Sequence, residues 1–238
     1  MGYMAKNNIL ATIEDLPRRQ AKYAPVKAAL GELYGTPIWR RDTPAMDELV
    51  SCILSQNTSD INRDRGFDAL RQRYPDWQAV LDAPLEELID TIRPAGLSRQ
   101  KAPRIQAILA YILAERGEFN IDFLNDMDLD EALNWLTALN GIGPKTAAIV
   151  MCFSFNRPAF PVDTHVHRVG QRIGFLPEGI TADNAHPVMA ALVPPEDHYA
   201  FHINLIQHGR EICRARNPLC ERCPVTTYCD YYQKIVKK

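Results

Sequence analysis

The sequence of 238 residues predicts an all-α protein, and three features lead to that prediction. Apolar residues recur every three or four positions, as in the segment 104–115, which is the spacing of one face of an α-helix. Residues that typically start helices stand before several apolar segments. Extended alternation of β-branched and polar residues, the pattern of a half-buried strand, is almost absent. We therefore expect helices joined by short connections.

The first predicted helix begins near Thr43 and Pro44, an N-cap followed by proline at the first helical position, and its apolar run continues to Leu54. Later helical segments are expected at Leu85–Ile92 after Asp82 and Pro84, at 104–115, from the capping-box pair Asp128 and Glu131 to about Leu139, and from Pro195 to near Cys213. Internal repeats with periods of 20–50 residues are absent from the sequence.

The composition is that of an ordinary globular protein, with 46% apolar and 24% charged residues. It excludes bulk disorder, a collagen-like repeat and a small disulfide-stapled domain. No run approaches the roughly 18 consecutive apolar residues that a membrane span needs. Residues 1–25 contain charged side chains and no apolar segment typical of a signal peptide, so we expect a cytoplasmic chain that acts without a membrane.

The net charge of −2 conceals an uneven distribution of charged residues. Residues 76–90 and 118–131 contain acids and no Lys or Arg, whereas residues 93–116 and 210–238 are rich in Lys and Arg. A basic face of this kind attracts a nucleic-acid backbone. Ordinary solvated helix surfaces are the alternative explanation.

Four of the six cysteines follow the pattern C-x6-C-x2-C-x5-C: Cys213, Cys220, Cys223 and Cys229. In a reducing compartment, four soft thiolates this close together favour one metal centre over disulfides. Structural zinc sites usually have two tight cysteine pairs, and only one pair is tight here, so a [4Fe–4S] cluster is favoured while zinc stays open. The basic segment 214–219 is a candidate DNA-contacting loop. Cys52 and Cys152 lie in apolar runs and are expected to be buried hydrophobic residues.

The segment 139–148, LNGIGPKTAA, lies between two predicted helices. Gly141 and Gly143 can form a tight turn and let the backbone approach a ligand closely. The helix that opens near Pro144 would present free N–H groups, which bind anions such as phosphate. This helix–turn–helix unit therefore predicts a clamp for the DNA backbone, with a plain interhelical turn as the alternative. Its spacing is not that of a P-loop.

Two charged residues near this turn are candidates for catalysis. Lys145 stands at a helix N-terminus, whose positive end disfavours the ammonium form, and a neutral amine is a nucleophile that can form a Schiff base. A phosphate contact is its alternative role. Asp163 stands before the next predicted helix, where a carboxylate acts either as an N-cap or as a group that stabilises a sugar cation and moves protons.

Together these motifs resemble the helix-hairpin-helix DNA glycosylases, and specifically the endonuclease III family. The resemblance covers nearly all of residues 25–232. It consists of LSQNTSD at 54–60, AGL and KA within 95–102, LNGIGPKTA at 139–147, VDTHVHRV at 162–169, HGR at 208–210 and the four-cysteine pattern. Asn140 departs from the family pattern, in which proline is common at that position of the hairpin.

The resemblance implies two all-α domains with a DNA-binding cleft between them. A six-helix barrel with the hairpin would occupy residues 43–157, and a cluster domain would join residues 1–42 with residues 158–238. The four cysteines would then hold a [4Fe–4S] cluster. The expected partner is double-stranded damaged DNA, bound by a monomer.

The resemblance also implies a reaction. The damaged base is flipped out of the duplex, Lys145 matches the Schiff-base lysine that displaces it, and Asp163 matches the essential aspartate. β-Elimination then nicks the strand 3′ to the lesion, and no catalytic metal is expected. The expected substrates are oxidised pyrimidines such as thymine glycol.

Further residues match DNA-contacting positions of the family. Gln56 matches the position that fills the gap left by the flipped base, and Leu97 matches the wedge in the opposite strand. A buried core leucine is the alternative for Leu97. His165 is expected either to face the DNA or to pack between helices, and Asp60 to lie near the base pocket.

Four other classes of protein compete with this interpretation. Adenine- and thymine-mismatch glycosylases of the same superfamily usually lack the hairpin lysine. The adenine-specific ones also carry a long C-terminal domain, whereas this chain ends nine residues after Cys229. A noncatalytic DNA-binding module would use the hairpin and the cluster without Lys145. A soluble electron carrier would need neither the hairpin nor the VDTH segment.

Overall fold

The structure, a computed structural model, describes residues 9–236. These residues form α-helices, short 3₁₀ and π-helical turns and loops, with no β-strand among them, which confirms the predicted all-α class. Their α-helices are α1 (Leu16–Ala21), α2 (Tyr23–Tyr34), α3 (Ala45–Ser55), α4 (Asp60–Arg73), α5 (Trp77–Asp82), α6 (Leu85–Thr91), α7 (Ser98–Arg116), α8 (Leu129–Ala138), α9 (Pro144–Ile149), α10 (Thr164–Ile173), α11 (Ala182–Leu192) and α12 (His198–Glu211). None of these helices has the length and apolar character required to cross a membrane.

The chain divides into two compact units. The hairpin unit is Arg41–Val150 and contains α3 to α9. The cluster unit joins the residues up to Arg40 with those from Met151 onward, and contains α1, α2 and α10 to α12.

The domain limits implied by the resemblance, 43–157 for one domain and 1–42 with 158–238 for the other, stay a prediction. Residues 1–8, 237 and 238, which belong to the second predicted domain, lie outside the described residues.

The predicted helices are present, with small shifts at their ends. The first begins at Ala45 because Pro44 is extended, with a ψ of 144°, and is the N-cap instead of the first helical residue. The segment 104–115 is the C-terminal part of α7, which runs through Pro103. The last predicted helix, α12, ends at Glu211, before Cys213.

The start of α8 confirms the predicted cap. The carboxylate of Asp128 accepts hydrogen bonds from the backbone N–H groups of Asp130 at 2.9 Å and Glu131 at 3.3 Å. These bonds satisfy donors that would otherwise lack a partner at the helix N-terminus. The cap fixes where the first helix of the hairpin begins.

Each unit has its own apolar core. The hairpin unit buries side chains of α3, α7 and α8, namely Leu49, Ile53, Leu54, Ile105, Leu109, Leu133 and Leu136. The cluster unit buries side chains of α2, α10 and α12 and of the segments that join them, including Val26, Leu30, Phe160, Val166, Val169, Phe175, Phe201 and Leu205. Burying one such side chain contributes about 1.5–3 kcal/mol. These cores hold in place the helix ends that carry the candidate site residues.

Candidate functional site

The glycine turn joins α8 to α9 in the hairpin unit. Ile142 is buried between Gly141 and Gly143, which are both exposed, and therefore anchors the turn. Gly141 has a φ of +82°, which only glycine adopts without strain. Gly143 is the N-cap of α9 with a φ of −96°, and a Cβ there would meet no atom within 4 Å. Gly143 thus leaves the backbone open to approach, whereas Gly141 is required by the turn itself.

Lys145 lies in the first turn of α9 and is exposed. The three residues after it, 146–148, are buried and anchor the helix. Lys145 takes part in none of the ion pairs formed by residues 9–236. Burial raises the pKa of the Cys52 thiol in α3 well above its ordinary value, while the positive charge of Lys145 partly lowers it. Lys145 therefore presents an unpaired amine close to α3.

Two exposed turns of the hairpin unit carry the predicted DNA-contacting residues. Leu97 precedes α7 with a φ of +49° and is 46% exposed, so it is not a core leucine. Gln56 follows α3 and is half-buried. Its neighbour Asn57, for which the sequence carries no separate signal, is exposed with a φ of +54°. The two turns adjoin, since a Cβ on Gly96 would lie 3.9 Å from the hydroxyl oxygen of Thr58.

Lys101 links these two turns through hydrogen bonds. Its side chain is only 1% exposed, and its Nζ donates hydrogen bonds to the carbonyl of Leu54 at 2.7 Å and to that of Ala95 at 2.8 Å. The first carbonyl is two positions before Gln56 and the second is two positions before Leu97. Burial lowers the pKa of Lys101 to about 8. Lys101 belongs to the KA motif, but the sequence alone indicates no role for it.

In the cluster unit, Asp163 is the N-cap of α10. Its carboxylate accepts a hydrogen bond from the backbone N–H of Val166 at 2.7 Å. Its other oxygen accepts none from the residues that the structure describes. The N-cap role is therefore present, and one carboxylate oxygen stays available for chemistry.

His165 packs between α10 and α12. Its Nδ1 lies 3.1 Å from Nη2 of Arg168, which also donates to the carbonyl of Gly209 at 2.7 Å. A Cβ on Gly209 would lie 2.9 Å from the Cβ of His165, so the two helices are in close contact there. This packing is one of the two roles expected for His165, and a DNA contact stays a prediction.

Asp60 is the first residue of α4 and is exposed. Its carboxylate lies 3.9 Å from the guanidinium of Arg63, one turn further along the helix. An acidic side chain in the first turn stabilises the helix N-terminus. Its predicted place near the base pocket stays a prediction.

The four cysteines of the C-terminal pattern line one cavity of the cluster unit, and none of them forms a disulfide. Within residues 9–236, no three His, Cys, Asp or Glu side chains are grouped closely enough to hold a single metal ion. Thiols arranged around a cavity suit a polynuclear iron–sulfur centre.

Side-chain nitrogen atoms of Arg172 and His208 face two of these sulfur atoms. Nη1 of Arg172 lies 3.4 Å from Sγ of Cys213, and Nε2 of His208 lies 3.5 Å from Sγ of Cys223. The hydroxyl of Tyr34 lies 3.3 Å from the other ring nitrogen of His208. Burial lowers the pKa of His208 to about 4, so the imidazole is neutral at pH 7. N–H donors beside ligating sulfur stabilise a metal-bound thiolate, so the donor set fits the predicted cluster.

The first cysteine ligand is also fixed through its backbone. Arg168 donates to the carbonyl of Cys213 at 3.0 Å, and Arg172 donates to the carbonyl of Arg214 at 2.6 Å. Arg214 and Arg216 in the following loop are exposed. The loop after the first ligand is therefore anchored on α10 and presents basic side chains to solvent.

Comparison with known families agrees with this arrangement. The HhH-GPD superfamily of base excision DNA repair proteins matches residues 50–195, and the iron–sulfur binding domain of endonuclease III matches residues 213–229. The first match covers the hairpin and Asp163, and the second spans all four cysteines. The chain therefore belongs to the HhH-GPD superfamily of base excision DNA repair proteins.

Similar sequences narrow the assignment to one family of that superfamily. Endonuclease III of Thermotoga maritima is 32% identical over 194 residues, which are 82% of this chain and 86% of the relative. Endonuclease III of Bacillus subtilis is 35% identical over 190 residues, with coverages of 80% and 83%. Within the superfamily, the chain is a member of the endonuclease III family.

Similar solved structures include two complexes with DNA. A non-covalent endonuclease III–DNA complex matches with a TM-score of 0.77 and 28% identity, over 93% of this chain and 99% of that one. A trapped endonuclease III–DNA covalent intermediate matches with a TM-score of 0.75 and 27% identity, over 91% and 97%. A thermostable thymine-DNA glycosylase, 22% identical with a TM-score of 0.75, shares the fold.

These matches confirm several predictions from the sequence. The chain is a DNA glycosylase and AP lyase of base excision repair, it binds DNA, and its cofactor is a [4Fe–4S] cluster. The roles of single residues, the damaged base and the oligomeric state stay predictions.

Proposed function

We propose that this enzyme removes oxidised pyrimidines such as thymine glycol from double-stranded DNA, with Lys145 as the nucleophile and Asp163 as the assisting carboxylate. The placement of Lys145 carries the proposal. It is an exposed amine in the first turn of the second hairpin helix, outside every ion pair of the described residues. The enzyme acts as a monomer on chromosomal DNA in the cytoplasm.

The hairpin and its neighbouring turns bind the DNA. Gly141 forms the turn of the DNA-binding hairpin, and the open backbone at Gly143 lets a phosphate approach the N–H groups that begin α9. Gln56 fills the space of the flipped base, and the exposed side chain of Leu97 supports the broken stack on the opposite strand. His165 adds a contact from α10.

Base removal begins when the neutral amine of Lys145 attacks C1′ of the damaged nucleotide. A bond forms between nitrogen and C1′, and the glycosidic bond breaks with its electron pair going to the base, which takes up a proton. The C1′–O4′ bond then breaks with its electron pair going to O4′, which takes up a proton, and the opened sugar is joined to Lys145 as an imine. Loss of a C2′ proton then expels the 3′ phosphate by β-elimination. Water hydrolyses the imine and releases the enzyme.

Asp163 assists this sequence through its charge. Its oxygen that accepts no hydrogen bond from the described residues stabilises cationic character at the sugar, and it receives a proton from the attacking amine. The other oxygen keeps the side chain in place through the cap of α10.

The cysteines at 213, 220, 223 and 229 would hold the cluster in the cavity that they line. When bound, the cluster cross-links this short loop segment through iron–thiolate bonds. Arg172 and His208 orient two of the thiolates, and the exposed Arg214 and Arg216 contact the DNA backbone.

Strand cleavage on defined duplexes tests the proposal. We measure nicking by the wild type, by Lys145→Gln and by Lys234→Gln, which serves as an exposed lysine control. The duplexes carry a thymine glycol, an abasic site, an adenine·guanine mismatch, a guanine·thymine mismatch or no lesion. We expect the wild type and Lys234→Gln to nick the thymine glycol and abasic duplexes, and Lys145→Gln to nick neither. Nicking of the abasic duplex alone would reject thymine glycol as a substrate. Removal of a mismatched base without nicking would favour a monofunctional enzyme.

A further inference from the structure

Three segments of the hairpin unit meet at the side chain of Gln56. Nη1 of Arg104, in α7, donates a hydrogen bond to Oε1 of Gln56 at 2.7 Å. Nε2 of Gln56 donates in turn to the carbonyl oxygen of Gly141 at 3.1 Å. The opposite orientation of the amide would place its NH₂ group against the guanidinium and its oxygen against the carbonyl, and both contacts would be repulsive. The hydrogen-bond donors and acceptors around Gln56 therefore fix the orientation of its amide.

The glycine turn provides the space in which Arg104 lies. A Cβ at Gly141 would be 2.1 Å from Nε and 2.5 Å from both Cδ and Cζ of Arg104. The arginine side chain consequently lies directly on the backbone of the turn. Gly141 is needed for this contact as well as for its φ of +82°.

Arg104 directs its hydrogen bond to a neutral amide and not to a carboxylate. It is half-buried, and none of the ion pairs among residues 9–236 includes it. Without an ion-pair partner among these residues, its positive charge stays unpaired beside the hairpin. A planar guanidinium can lie on a backbone and donate sideways at the same time, which an ammonium cannot.

We propose that Arg104 is a positioning residue that holds Gln56 on the hairpin, so that both DNA contacts meet the duplex as one preformed surface. The inference rests on the proposed function, because Gln56 and the hairpin are assigned as DNA contacts there. Fixing a long side chain in advance removes an ordering cost on binding, which corresponds to about threefold to tenfold in affinity.

A double-mutant cycle tests the coupling between Arg104 and Gln56. The dissociation constant is measured for a duplex with a tetrahydrofuran abasic analogue, which cannot form an imine and therefore reports binding apart from chemistry. The cluster-loaded proteins compared are the wild type, Arg104→Met, Gln56→Ala and the double variant. Arg116→Met, at the other end of α7, removes an exposed arginine from the same helix as a control.

We expect Arg104→Met to weaken binding by about threefold to tenfold in the wild-type background and by less than about twofold in the Gln56→Ala background. Arg116→Met should change binding by less than about twofold. Equal losses from Arg104→Met in both backgrounds would mean that Arg104 binds DNA directly, and this result would overturn the proposal. No loss in the wild-type background would overturn it as well.

If Arg104→Met does not fold, Arg104→Lys takes its place in the cycle, because lysine keeps the charge but lacks the planar fork. Failure of the proposed function is seen separately: a wild type that binds the analogue but does not nick thymine glycol duplexes rejects that function and leaves the coupling measurable.

Discussion

The carboxylate of Asp163 accepts a hydrogen bond from the backbone N–H of Val166 at 2.7 Å, so the residue that we assign to catalysis also caps α10. Asparagine caps a helix about as well as aspartate, because its amide oxygen accepts the same hydrogen bond. It cannot carry the negative charge. One substitution therefore separates the structural role of Asp163 from its chemical role.

Asp163→Asn should keep the melting temperature within about 2 °C and slow base release by about 10²-fold or more, since the cap is retained and the charge is lost. Single-turnover release of thymine glycol measures the rate, and thermal unfolding measures the stability. Asp76→Asn is the matched control, because Asp76 caps α5 through a hydrogen bond of 2.8 Å from Ala79. A folded Asp163→Asn enzyme with full activity would reduce Asp163 to a helix cap.

The two hairpin glycines should respond differently to alanine. Gly141→Ala forces a side chain into a φ of +82° and onto Arg104, so we expect a loss of about 1–2 kcal/mol or more in the free energy of unfolding. Gly143→Ala meets no atom within 4 Å and should fold normally. If a phosphate approaches the backbone there, Gly143→Ala should weaken DNA binding by about tenfold.

Thermal unfolding and the dissociation constant for the abasic-analogue duplex measure both effects of these glycine variants. Unchanged binding by a folded Gly143→Ala protein would place the phosphate elsewhere. Unchanged stability of Gly141→Ala would contradict the described turn.

The stability contributed by Lys101 should depend on pH. Its pKa is lowered to about 8 in the folded protein, against about 10.4 for an unfolded lysine. Between these values the unfolded chain binds more protons than the folded one, so this group makes the free energy of unfolding rise with pH. Lys101→Met removes that dependence and leaves the carbonyls of Leu54 and Ala95 without this donor, at a cost of about 1–3 kcal/mol.

The wild type should therefore gain stability relative to Lys101→Met as the pH rises from 7.5 to 9.5, by up to about 1.4 kcal/mol per pH unit above 8. Urea unfolding of both proteins at the two pH values gives the difference directly, and titrations common to both proteins cancel. A difference that does not change with pH would mean that Lys101 keeps an ordinary pKa.

Loss of one cavity cysteine should release the cluster. Cys223→Ala removes a ligand. The iron content of this variant should therefore fall well below that of a [4Fe–4S] protein, which is about four irons per chain. Cys152→Ala is the control, because Cys152 is buried outside the cavity. Iron analysis and visible absorption measure the effect. Full iron content in Cys223→Ala would exclude this residue as a ligand.

Structural features that depend on residues close together in the chain could be predicted from the sequence. The cap of α8, the glycine turn and the cysteine spacing each depend on neighbours within one short segment. Helix α4 was not predicted, because it buries only Gly66 and Leu70 and so shows little apolar periodicity. The position of α4 depends on close packing against the segment that contains Ala95, since a Cβ on Gly66 would lie 2.7 Å from the Cβ of Ala95.

The contacts that organise the candidate DNA surface could not be predicted from the sequence. Lys101 bonds to Leu54, 47 positions away, and Arg104 bonds to Gln56, 48 positions away. Both residues belong to a segment whose charge suggested only a basic face. For Leu97 the sequence left a wedge and a core residue open, and its left-handed backbone and 46% exposure exclude the core residue.

The central claim is that Lys145 forms the covalent intermediate, and borohydride trapping followed by peptide mapping tests it most directly. Borohydride reduces an imine to a stable amine and so links the enzyme to a thymine glycol duplex. We predict a cross-link at Lys145 in the wild type and in Lys234→Gln, and none in a Lys145→Gln protein that still binds the duplex. A cross-link that persists in Lys145→Gln, or one that maps to another residue, would contradict the account.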